Sequence, residues 1–132
     1  MERELRALEN FEENVSELLT ITSRSHSLFK TRKQYENSEN KEVVNTIADL
    51  MKGMYDKGSH LNTLLTKLKF YLKNNIEKEK ILYDNIDKII NMVFKSPNNI
   101  ENNEAILNQF QILRDLSKEF IETKKKELEQ EY

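Results

Sequence analysis

The sequence predicts an all-α fold of the antiparallel long-helix hairpin or four-helix-bundle type, and three observations carry that reading. Apolar residues recur at every third or fourth position, the spacing that lines one face of a helix, while strict alternation is almost absent. Two glycines and one proline in 132 residues leave little turn chemistry for a β fold. Charged side chains make up 33% of the chain and their signs interleave, as on solvated helix faces. A chain of this length is one domain by expectation.

The first helix is expected from about Glu2 to Arg32. Its stripe is Leu8, Phe11, Val15, Leu18, Thr22, Ser25 and Phe29, stepping by threes and fours like a coiled-coil seam. Thr22 and Ser25 weaken the second half. A polar linker, Lys33 to Asn40, follows, with Ser38 or Asn40 placed to cap what comes next. The second helix is expected from about Glu39 to Lys73, with Val44, Ile47, Met51, Met54, Gly58, Leu61, Leu65, Leu68 and Leu72 in its stripe. Val43, Leu50, Leu64 and Tyr71 widen that face, which suits a helix with more than one neighbour. Gly58 on the seam means either a close helix approach or a bend. Across Asn74 and Asn75 the apolar phase carries on through Ile76, Lys80, Tyr83, Ile86, Ile90 and Val93, so residues 40–95 form one rod or two with a hinge at the Asn pair. Pro97 pushes its predecessor out of the α region and stops that stretch near Lys95. The fourth helix runs from about Asn103 to Glu131 on Ile106, Phe110, Leu113, Leu116 or Ser117, and Phe120, with Leu128 an outlier and a charged tail from Glu122 expected to be solvated or frayed. The divisions are then 1–95, the hairpin with its third stretch; 96–103, an Asn/Pro loop; and 104–132, the C-terminal helix.

Several chemistries find no footing. Without cysteine there are no disulfides and no thiolate metal sites. His26 and His60 lie on different helices, neither in a ligand pattern, and are expected to be surface or boundary residues; no Glu-x-x-His motif exists for a di-iron bundle. Ser25, His26 and Ser27 are adjacent, and neighbouring side chains on a helix diverge by about 100°, so they do not converge as a triad. No catalytic residues, cofactor or metal are expected. Three basic clusters (Lys30, Arg32 and Lys33 with Arg24 upstream; Lys67, Lys69 and Lys73; Lys124, Lys125 and Lys126) all have acidic neighbours. The whole chain has a net charge of −2, and no direct nucleic-acid contact is expected. No apolar run reaches the length of about 18 residues that a membrane span needs, and the acidic, amphipathic opening MERELRALENFEEN reads as neither signal nor transit peptide, so an intracellular location is expected.

What the sequence offers is helix faces. Two long apolar stripes cannot stay exposed. Either the third and fourth stretches cover them, or another protein supplies helices.

The segment Glu4 to Leu19 resembles the opening of the Mediator subunit-eleven family, small head-module proteins. Leu5, Leu8, Phe11, Glu12, Val15, Leu18 and Leu19 follow that family's order, with Phe11 where Ile is usual. Tyr55, Asp56, Lys57, Ser59 and Leu61, ahead of a Leu-rich run, are similar in character and distance from the start. The likeness spans about residues 4–72 and leaves out the Asn-rich loop and the fourth helix. It implies a nuclear, non-enzymatic scaffold subunit supporting RNA polymerase II transcription. It further implies a heterodimer with Mediator subunit twenty-two, each partner giving two helices to a mixed bundle. The interface would be Leu8, Phe11, Val15, Leu18 and Phe29 with Val44, Ile47, Met51, Met54, Leu61, Leu65 and Leu68. The alternatives are a helical subunit of another assembly (kinetochore, vesicle tether, secretion chaperone) and an autonomous four-helix domain that binds peptide helices.

Overall fold

Five α-helices and one π-helical turn make up the computed structural model, which describes residues 2–73, 76–95 and 103–131. Helix α1 is Glu2–Tyr35, α2 is Lys41–Asp56, α3 is Gly58–Tyr71, α4 is Glu77–Ile90 and α5 is Asn103–Glu131; the π turn, Asn91–Lys95, extends α4. Among the described residues there is no strand.

Four rods result, because α2 and α3 together form the second one. They run up, down, up and down in chain order, with α1 packed against α2, α3 and α5, and α4 against α5. A polar link spans each of the four seams: Glu17 of α1 pairs with His60 of α3. Lys69 of α3 reaches Asp87 of α4 at 2.7 Å. Gln109 of α5 donates to Asn85 of α4 at 2.8 Å, and Lys125 of α5 to Glu12 of α1 at 3.3 Å. The chain thus closes a four-helix bundle with its own helices.

The first rod is longer than its seam predicts. It continues to Tyr35 and spans about 50 Å. Its two weak positions are buried all the same: Thr22 satisfies its hydroxyl by donating to the Leu18 carbonyl at 2.6 Å. Asn40 is the cap of α2, accepting from the backbone N–H groups of Glu42 and Val43 at 3.1 and 3.3 Å.

The second rod breaks where the sequence left two readings of Gly58. Lys57 takes φ −91°, ψ 4° and ends α2; α3 restarts at Gly58. A Cβ built on Gly58 would meet nothing within 4 Å, so the glycine marks a bend and not a close helix approach. The rod ends before the Asn pair: Leu72 and Ile76 are both extended, so α3 and α4 are separate helices.

That break shifts the apolar face in part. Of the expected stripe, Ile86 and Val93 are buried and Tyr83 and Ile90 are half-buried against the core, while Leu82 and Ile89 complete the buried face and Lys80 falls outside it. Lys80 is exposed and pairs with Asp84 at 3.2 Å. A phase carried across an extended linker has no physical meaning, because two non-helical residues rotate the next face freely.

The core runs the length of the bundle. Leu8, Leu18, Leu68, Ile86, Ile89 and Leu113 are fully buried, and shortening any of them to Ala costs about 2–5 kcal/mol. At one end Phe11 stacks on Tyr71 at 4.6 Å and meets the edge of Phe120 at 5.5 Å, joining α1, α3 and α5. At the other, Phe29 meets Phe94 of the π turn edge-on at 6.1 Å. Such pairs add about 0.5–1.5 kcal/mol each beyond burial. The C-terminal segment is not frayed: α5 is helical to Glu131, Ile121 is buried, and Leu128 packs against the core. The 96–102 part of the Asn/Pro loop lies outside the described residues.

Candidate functional site

The seam residues named from sequence are brought together, and the chain itself covers most of them. Leu8, Phe11, Val15, Leu18, Phe29, Ile47, Met51 and Leu68 are buried, and Met54, Leu61 and Leu65 are half-buried against the same core. Val44 is 39% exposed at the edge of α2. A partner that used this seam would have to displace α4 and α5.

The histidines divide. His26 is buried, and its Nε2 lies 2.8 Å from Oδ1 of Asn103, tying the first residue of α5 to α1. His60 is half-exposed on its Glu17 link. Ser25 is buried while Ser27 is exposed, so the adjacent Ser-His-Ser trio does not form a site. Among the described residues no three His, Asp or Glu side chains gather as a metal-binding group, and no helix is long and apolar enough to cross a membrane.

A surface groove lies on each flank of α5. The α4–α5 groove encloses about 480 Å³. Its floor is Leu82, Leu116 and Phe120, and Ile76 and Ile81 form one lip at 41% and 43% exposure. Lys78, Glu119, Lys124 and Glu127 ring it, with Lys124 and Glu127 3.7 Å apart. Glu79 also lines it. This carboxylate is buried in the first turn of α4, where the helix dipole favours a negative charge, and it accepts from the Lys73 backbone N–H at 3.2 Å. Burial pushes the nearby Tyr71 phenol above its ordinary range, and the Glu79 charge adds to the effect.

The α1–α5 groove is broader and more polar. Val15, Leu19 and Ile121 form its floor, Ser16, Thr20, Ser23 and Ser117 its hydroxyls, and Arg24, Arg114, Lys118 and Lys125 its cations. Ser117 Oγ is buried with no hydrogen-bond partner.

Sequence reasoning named neither groove. Ile81 is not signalled by spacing, since it sits beside Lys80, a position that the helical period places on the seam and the structure leaves exposed. Ser117 was visible as a polar residue at a seam position, and that anomaly was the available signal.

Comparisons of the chain with protein-family models, with curated proteins and with solved structures find no match. The class that the fold defines is an all-α helical bundle.

Proposed function

We propose that this chain is a non-enzymatic helical interaction subunit. It enters a larger assembly as a preformed bundle and receives a partner's helix in the α4–α5 groove. The observation that carries this reading is the groove itself: an apolar floor between two antiparallel helices, with Ile76 and Ile81 left open on its lip. An amphipathic helix laid there would bury those side chains, the helix-in-groove mode of recognition. The charges of both signs around the rim would fix its register and add little affinity.

Within that reading, the resemblance of residues 4–72 supports a Mediator-type head module as the assembly. It supplies Mediator subunit twenty-two as the partner and the nucleus as the location. The self-closed bundle alters the expected mode of contact: the partner meets the outside of a folded subunit, and the seam stays within the chain.

Co-expression with a Mediator subunit twenty-two, followed by size-exclusion chromatography with light scattering, tests both levels. The expected result is a 1:1 complex that forms with the wild type and is lost with Ile81→Asp, an exposed site where the charge leaves the fold intact. A complex indifferent to Ile81→Asp would overturn the groove and return the interface to the seam. A monomer that ignores this partner would overturn the Mediator assignment.

A further inference from the structure

The α1–α5 groove carries the opposite charge to its neighbour: Arg24, Arg114, Lys118 and Lys125 outnumber Glu12 and Glu122 on its lining, whereas Glu79, Glu119 and Glu127 outnumber Lys78 and Lys124 in the α4–α5 groove. Lys125 is paired with Glu12. Arg24, Arg114 and Lys118 have no ion-pair partner among the described residues, and Glu122 is the one unpaired carboxylate on the same lining. The chain as a whole is acidic by two charges, so this is a local excess of the opposite sign. Arg114 is held in place by its own helix, with the guanidinium 5.8 Å from the centre of the Phe110 ring. Arginine presents a planar fork of donors that fits a carboxylate on two bonds at once.

Ser117 is the independent observation. Its hydroxyl is buried in the wall of the groove and bonds to nothing. Thr20, across the groove, shows the usual solution for a helical hydroxyl, donating to the carbonyl four residues back, Ser16, at 3.0 Å. An unmet hydroxyl in a native core costs free energy, and an acceptor arriving from the groove that this residue lines would offset that cost.

We propose that the α1–α5 groove is a docking site for an acidic amphipathic segment of a protein partner, distinct from the α4–α5 groove. The segment's carboxylates meet Arg24, Arg114 and Lys118. Its apolar side chains rest on Val15, Leu19 and Ile121. The floor selects a peptide over a nucleic acid: a phosphodiester backbone has no side chains to cover apolar residues, and the lining holds no aromatic on which a base would stack. From Glu12 to Arg24 the groove runs roughly 18 Å, the length of a helical segment of about 12 residues.

The test is a titration of the full chain, isotopically labelled for amide NMR, with three probes. These are a helical peptide of about 14 residues with Leu along one stripe and Glu elsewhere, the same peptide with Lys for Glu, and an oligo-dT of about 10 nucleotides. The acidic peptide is expected to shift amides between Val15 and Arg24 and between Arg114 and Ile121. Combining Arg24→Glu, Arg114→Glu and Lys118→Glu is expected to weaken it about tenfold or more. All three side chains are exposed, and circular dichroism verifies that the variant remains folded at the temperature of the titration. Equal binding of the Lys peptide would overturn the proposal, and so would shifts confined to the α4–α5 groove. Oligo-dT binding here in place of the acidic peptide would make the groove a nucleic-acid site instead.

Discussion

Ser117 and Tyr71 show how single side chains set the energetics of this bundle. Ser117 holds a seam position between Leu113 and Ile121 and leaves its hydroxyl unbonded. Replacing it with Ala removes the unmet group and little else, so Ser117→Ala is expected to stabilise the chain by about 1 kcal/mol in urea unfolding. A loss of stability would mean that the hydroxyl has a partner after all. Tyr71 and Lys69 set the alkaline limit. Burial raises the Tyr71 phenol, and the hydrogen bond to Asp87 raises the Lys69 ammonium. Both groups therefore hold their protons more tightly in the folded chain than in the unfolded one. Their contribution is complete below about pH 10, where the unfolded groups begin to titrate, and is lost as pH rises through the folded values. The urea midpoint is expected to fall as pH rises above about 10, and Tyr71→Phe is expected to flatten that fall while keeping the stack on Phe11. An unchanged slope in Tyr71→Phe would assign the loss to Lys69 and the remaining titrating groups.

At the scale of elements, the second rod matters most. Gly53 lies inside α2, takes no positive φ, and has open space where a Cβ would go. Gly53→Ala is therefore expected to add about 0.5–1 kcal/mol, read from the thermal midpoint. Most elements were legible in the sequence because their apolar spacing is long and regular, as in Leu8 to Leu18 or Ile106 to Leu113. The start of α2 was narrowed to Ser38 or Asn40, and the structure assigns Asn40. The phase of α4 was legible only from Tyr83 onward. Lys80 satisfies the helical spacing counted from Leu72, and nothing local reveals that the backbone is extended at Leu72 and Ile76. The tail after Glu122 is helical and largely exposed, as its charges predict; what spacing did not reveal is that Leu128 packs against the core and that Thr123, Lys124 and Lys125 are half-buried. The grooves were illegible because each needs two helices in register, and spacing along one helix carries no information about the next.

For the molecule as a whole, the decisive feature is where the apolar seams go. The sequence admits completion by the chain or by a partner. In the structure α5 lies along both α1 and α4, with Leu113 fully buried, so the bundle is closed from within. In the proposed reading, recognition falls to what is left outside: the two grooves beside α5, and side chains such as Phe70, 92% exposed. That division separates a folded docking subunit from a half-bundle awaiting its partner. Native-state hydrogen exchange on the purified chain alone tests it most directly. The amides around Leu113 in α5 are expected to open with the same free energy and denaturant dependence as those around Leu18 in α1, as one cooperative unit. Exchange of the α5 amides several kcal/mol more easily than those of α1 would contradict the account, because α5 would then be a detachable cover over a seam kept for another protein.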